Sequence, residues 1–202
     1  VPHGSRPKLR KGDVVHVTVK LKKGLPSLRY GEALKVVRGA IGRVNQGDRI
    51  RIVEYSIQSN HLHMLVEASN SAHLSSGMAS LNTGLGMRLN RVWKRTGEGS
   101  VFRERFHMVV IKTPTQMRNA LKYVLRNDVH HGLRVKGLDP CSSAPSFGGW
   151  QQLQGSDRQR AAAASCVSAE PRSWLLRIGW QKSKGRRQPL SLTGNPSLAL
   201  EA

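Results

Sequence analysis

The chain has 202 residues and a formal charge of +21, from 33 Lys and Arg against 12 Asp and Glu. That length suits one well-buried domain with an appendage and excludes two large domains. The charge asks for a polyanionic partner, and a phosphate backbone is the natural one.

The charge is uneven. Residues 1–138 carry 25 basic and 8 acidic side chains, whereas 139–202 carry 8 and 4. The partner surface is therefore expected mainly on the first part, although charge alone does not separate a nucleic-acid enzyme from a passive binder. The two cysteines, Cys141 and Cys166, stand apart, which excludes a zinc ribbon or disulfide framework and fits a reducing cytosol. No apolar run approaches the roughly 18 residues needed to span a bilayer, and no signal-peptide core opens the chain. No membrane partner is expected. Because the sequence starts at Val1, the natural N-terminus is expected to be missing.

After an extended basic segment, Val15, Val17, Val19 and Leu21 alternate with His16, Thr18 and Lys20, the pattern of a half-buried strand. Gly24-Leu25-Pro26-Ser27 breaks it. A helix follows with Leu34, Val37, Ala40, Ile41 and Val44 on one face, ending near Gly47. Residues 49–58 and 61–67 read as two strands joined at Ser59-Asn60, and the phase slip from Ile50 and Ile52 to Val53, Tyr55 and Ile57 predicts a bulge. A longer helix is expected over about 71–94, burying Leu74, Met78, Leu81, Leu85, Leu89 and Val92. Its glycines imply a kink or a close approach. Residues 106–111 make a fourth strand. Thr113-Pro114-Thr115-Gln116 then starts a helix with a Thr cap, Pro at the first position and Gln three residues after the cap. That helix is expected to run to about Val129 and end at Gly132. The order β-α-β-β-α-β-α fits an α+β, ferredoxin-like antiparallel sheet with helices on one face.

Residues 1–138 are thus read as one folded domain and 139–202 as an irregular, partly docked C-terminal extension. Trp174-Leu175-Leu176, with Ile178 and Trp180, is the one tail segment expected to dock by apolar burial.

Two motifs carry candidate chemistry. In Asn60-His61-Leu62-His63, the histidines alternate on a strand and share a face, about 6–7 Å apart at Cα, close enough to bite one metal ion. In the helix after Thr113, Met117, Ala120, Leu121, Val124 and Leu125 form the buried stripe. At about 100° per residue, Tyr123 and Asn127 fall about 40° apart on one edge of it. Arg118, Lys122 and Arg126 lie on the far side. Taken alone, a surface HxH is a moderate metal signal, and such a Tyr–Asn pair is ordinarily packing plus a polar helix end. His16 and His107 lie within reach of the same region and otherwise read as exposed strand histidines.

The run Asn60-His-Leu-His-Met-Leu-Val66, the pair Tyr123 and Asn127, and Phe102-Arg-Glu-Arg-Phe106 resemble the single-tyrosine HUH transposases. Within them the chain is most similar to the REP-associated tyrosine transposases and their insertion-sequence relatives, over residues about 14–133. The resemblance implies a bacterial, cytoplasmic, nucleoid-associated enzyme acting on single-stranded DNA with hairpin or palindromic repeat ends, as a monomer or homodimer. It implies His61, His63 and Asn127 as ligands of Mg²⁺ or Mn²⁺, and Tyr123 as the nucleophile leaving a 5′-phosphotyrosine and a 3′-hydroxyl. Where the family often continues Asn-Pro-Val, this chain has Asn127-Asp128-Val129-His130-His131, so Asp128 or His130 competes for the third position. Arg103, Arg105, Lys112, Arg118, Lys122 and Arg126 are the candidate phosphate contacts.

Two other readings stand beside it. One is a non-catalytic, domesticated nucleic-acid binder, against which stand the 5% aromatic content and the lack of interleaved strand aromatics. The other is a metal-dependent phosphoesterase using water, with no role for Tyr123.

Overall fold

The structure is a computed structural model that describes residues 7–130, 132, 137–151, 167–185 and 189–191. The elements follow the expected order: β1 (Val14–Lys20), α1 (Gly31–Asn45), β2 (Ile50–Ile57), β3 (His61–Ala68), α2 (Ser71–Val92), β4 (His107–Ile111) and α3 (Pro114–Leu125). The capping box that starts α3 is formed, with Thr113 accepting from the Gln116 N–H and the Gln116 side chain returning to Thr113. The helix ends with its apolar stripe at Leu125, earlier than the expected Val129. Arg126 leaves helical geometry, and Asn127–His130 makes a separate turn, α4.

The four strands form one antiparallel sheet in the order β2-β3-β1-β4, the ferredoxin-like arrangement. Val15, Val17, Val19, Leu62, Met64 and Val66 face α1 and α2 in the larger core. There Gly77 of α2 passes so close to β2 that a Cβ would fall 2.6 Å from Ile50, the close approach its glycine suggested. The predicted bulge lies between Ile52 and Glu54. It sends Val53 into the second core while Tyr55 and Ile57 stay in the first.

The helices do not all share a face. α1 and α2 cover one side, and α3 packs on the other against Val14, Val53, Leu65 and Ile111. β1 therefore lies at the centre of the sheet and is covered on both faces. Six of its seven residues are buried, where alternation alone predicts a half-buried strand.

Beyond residue 137 the described chain runs along the outer edge of β2. Ile57 N–H donates to Cys141, Ser143 N–H to Tyr55, and Ala169 N–H to Ile52, at 2.9, 3.0 and 2.9 Å. That pairing occupies an edge otherwise open to another chain. Arg29 anchors the start of the segment, donating to both oxygens of Asp139 (2.8 and 2.9 Å) and to the Ile57 carbonyl (2.8 Å), all buried. Phe147, Trp150, Leu175, Leu176 and Trp180 then complete the second core around α3. Residues 141–150 were not expected to contribute, because isolated aromatics in a Ser/Pro/Gly-rich stretch carry no periodic signal. Conversely, Trp174 is 50% exposed. The end of the segment holds the short helix α5 (Trp174–Arg177) and a 3-10 stretch, Gly179–Gly185. Among the described residues no helix is long and apolar enough to cross a membrane.

Two outcomes follow from this docking. Asp139→Ala strands the Arg29 guanidinium, so urea unfolding is expected to show a loss of about 3–5 kcal/mol; a loss under about 1 kcal/mol contradicts the anchor. Glu54 is pushed up to about 8 from 4.5 by burial, with Glu170 adding to the rise and a Ser143 hydrogen bond opposing it. Between those values the folded protein keeps a proton that the unfolded chain has lost, so Glu54 withdraws stability as pH rises from about 5 to 8. Denaturation midpoints at both ends of that range should show Glu54→Gln gaining on the wild type as pH rises, and a constant difference would refute it.

Candidate active site

The second face of the sheet changes character along its length. Leu65, Val14 and Ile111 lie under α3, while His61, His63, Thr18 and His107 continue past it towards the other end. Strand register does the placing. Thr18 of β1 is paired with His63 on one side and His107 on the other, and Lys20 with His61. A cleft of about 920 Å³ opens there, with His61, His63, His107 and Tyr123 on its walls.

The two histidines of the β3 pair are adjacent, their ring centroids 4.7 Å apart and their planes at 87°. His63 is buried and His61 half-buried. His61 Nδ1 lies 2.7 Å from Asn60 Oδ1. His63 Nδ1 lies 3.1 Å from His16 Nε2 and 3.2 Å from Thr18 Oγ1. Tyr123 meets both His63 and His16 edge to face, at 5.1 and 5.7 Å between centroids. All of these groups belong to one chain, so the tyrosine and the histidine pair meet without a second copy.

His16 is the main surprise. It is buried and stacked on His63 at 5.1 Å rather than exposed, because β1 is central and its polar face is roofed by α3. Burial, with the neighbouring His107 contributing less, lowers its pKa from 6.5 to about 4, so it is neutral at pH 7. Tyr123 is also more buried than a border position implies. The outer side of α3 is not open, since α5 and the 3-10 stretch Gly179–Gly185 pack onto that helix.

Asn127 is not on the cleft wall. It is fully buried at the start of α4, and neither carboxamide atom has a hydrogen-bond partner among the described residues. Asp128 is buried beside it, its pKa raised by burial and then by the charge of Asp139, which places it towards the tail anchor. The His130 side chain lies outside the described residues, as do His131 and Cys166. Among the described residues no group of three His, Cys, Asp or Glu is arranged as a metal site.

Of the six expected phosphate contacts, only Arg103 lines the cleft. Arg105 and Lys112 are exposed elsewhere, and Lys122 and Arg126 are partly covered. Arg118 donates to the Pro189 carbonyl at 2.8 Å, an engagement with the tail that its place opposite the buried stripe did not suggest. The cleft's other cations are Lys20, Lys22 and Lys23, which sequence reasoning passed over. The Lys20-Leu-Lys-Lys-Gly24 run at the end of the first strand was the available signal. Backbone bonds from Lys22 N–H to Val101 and from Arg103 N–H to Lys20 tie the two basic segments together.

The model for IS200-like transposases matches residues 14–127, which spans the sheet, the histidine pair and Tyr123. The chain belongs to the IS200-like transposase family. Its fold is similar to that of a solved REP-associated tyrosine transposase bound to a REP hairpin, with a TM-score of 0.59 and 18% identity over 85% of this chain and 93% of that one. At that identity the likeness shows the fold alone. A second solved chain, described as a transposase from Deinococcus radiodurans R1, aligns over 67% of this chain and 98% of its own at 11% identity, with a TM-score of 0.42, too low to bear on the fold. No curated protein matches the chain.

Proposed function

We propose that this transposase-family chain cuts and rejoins single-stranded DNA through a covalent bond to Tyr123. The observation that carries the reading is the edge-to-face packing of Tyr123 on His63 in a cleft walled by Lys20, Lys22, Lys23 and Arg103. The Tyr123 phenolic oxygen attacks the scissile phosphorus and gives up its proton. The bond from phosphorus to the 3′-oxygen breaks, and that oxygen takes a proton to become a 3′-hydroxyl. The 5′-phosphate stays on Tyr123. With a phenol pKa near about 10, the tyrosine leaves again far more readily than an alkoxide, so the adduct conserves the bond for rejoining. Transesterification needs no nucleotide cofactor.

The donors fit a divalent cation in part. His61 and His63 offer two nitrogen ligands, a set that favours Mn²⁺ over Mg²⁺. Asn127 and Asp128 both carry a buried side-chain oxygen without a hydrogen-bond partner among the described residues; Asn127 is the proposed third donor and Asp128 the alternative, and both lie behind the cleft wall. When bound, such an ion supplies Lewis-acid polarisation of the phosphate. The chain's own contribution is to orient the phenol, hold the strand on the Lys20–Lys23 and Arg103 wall, and bury the nucleophile. The solved relative bound to a REP hairpin supports hairpin-bearing DNA as the substrate class.

Incubated with single-stranded DNA bearing its hairpin ends and Mn²⁺, the protein is expected to form an adduct that survives SDS. EDTA and Tyr123→Phe should each abolish it, and His63→Ala should slow it at least about a hundredfold, roughly 2.7 kcal/mol of transition-state stabilisation. An undiminished adduct in Tyr123→Phe, or cleavage with no adduct at any time, refutes the assignment, and the latter outcome points to water as nucleophile.

A further inference from the structure

Alternation on β3 puts His61 and His63 on one face, but it says nothing about which nitrogen each ring presents. Here both rings are engaged through the same atom. The Asn60 oxygen faces Nδ1 of His61 at 2.7 Å, and an amide oxygen only accepts, so that nitrogen carries the proton. Nδ1 of His63 faces His16 Nε2 at 3.1 Å and Thr18 Oγ1 at 3.2 Å. A proton on that nitrogen can be shared between the two, with His16 as the imidazole acceptor. In His61 the nitrogen left with its lone pair is then Nε2; in His63 it is Nε2 when the shared proton sits on Nδ1, and Nδ1 when His16 or Thr18 donates instead. The supports come from different places: Asn60 from the turn that starts β3, His16 and Thr18 from the neighbouring central strand.

We propose that Asn60 and His16, helped by Thr18, are positioning residues that hold both imidazoles with the proton on Nδ1, so that two Nε2 lone pairs are presented to one divalent cation. The proposal rests on the reading that His61 and His63 hold a metal. It adds the cause of their orientation. A free neutral histidine side chain prefers its proton on Nε2, the form that cannot ligate through that atom. Without the supports, each ring must change tautomer and turn before binding, which weakens the site even when both histidines are present.

The test begins on the metal-free protein. Ring ¹⁵N NMR at neutral pH should show protonated Nδ1 in both His61 and His63, and Asn60→Ala should return His61 to the Nε2-protonated form. Mn²⁺ titration followed by EPR should then show affinity falling about tenfold or more in Asn60→Ala and in His16→Phe. Asn60→Asp, which still accepts at the same place, should keep the affinity. A melting-temperature measurement on each variant separates this from loss of folding, since Asn60→Ala should bind weakly while melting near the wild type. Nε2-protonated rings in the wild type overturn the proposal, as does unchanged Mn²⁺ affinity in both Asn60→Ala and His16→Phe. His61→Ala serves as the separate control. If it leaves Mn²⁺ affinity unchanged, the metal reading fails, and the metal-free tautomers still decide whether the lock exists.

Discussion

The pairing register between β1 and β3 is the constraint on which the rest of the molecule depends. It sets Thr18 opposite His63 and Lys20 opposite His61, and it brings His16 of β1 within 3.1 Å of the His63 ring. Side chains alternate with a period of two, so a slip of one residue would turn His61 and His63 into the α1/α2 core and Leu62 and Met64 into the cleft. Burying a row of Val, Leu and Met on the first face is therefore what holds the histidines on the second. The hydrophobic pattern that stabilises the sheet and the polar pattern of the cleft are two readings of one register.

The proposed nucleophile depends on a different set of contacts. α3 carries Tyr123, and the capping box at Thr113 fixes where that helix starts. What fixes it against the sheet is a second core built jointly by the sheet, α3 and residues beyond 139, in which Trp150 and Trp180 are buried. Arg118 donating to Pro189 and Glu67 accepting from the N–H groups of Arg172 and Ser173 pin that tail at separate points. The tail shares the packing of the helix that presents the phenol, and it closes the free edge of β2 as it passes.

Much of the fold was legible in the sequence, because its signals were local and periodic. The strand alternations, the bulge near Val53, the Thr113–Gln116 cap and the two long amphipathic helices each reduce to short-range physics. The face on which α3 packs was not legible, since an apolar stripe does not say what it will meet. The burial of His16 followed from the same gap, because only strand order reveals that β1 is central. Residues 139–150 dock through single side chains (Asp139 on Arg29, Phe147 and Trp150 in the second core), and single long-range partners leave no pattern. At the cleft, the spacing of His61, His63 and Tyr123 was readable. The fully buried place of Asn127, beyond a helix break at Arg126, was not.

The central claim is that Tyr123, seated on His63 in its own chain, is the atom-bearing group that joins the DNA. Trypsin digestion of the SDS-stable adduct, followed by nuclease trimming and mass spectrometry, tests it directly. The account predicts one modified peptide, Tyr123-Val-Leu-Arg126, carrying a 5′-phosphonucleotide on the phenolic oxygen. A nucleotide attached at Tyr30, Tyr55 or any other residue would contradict it.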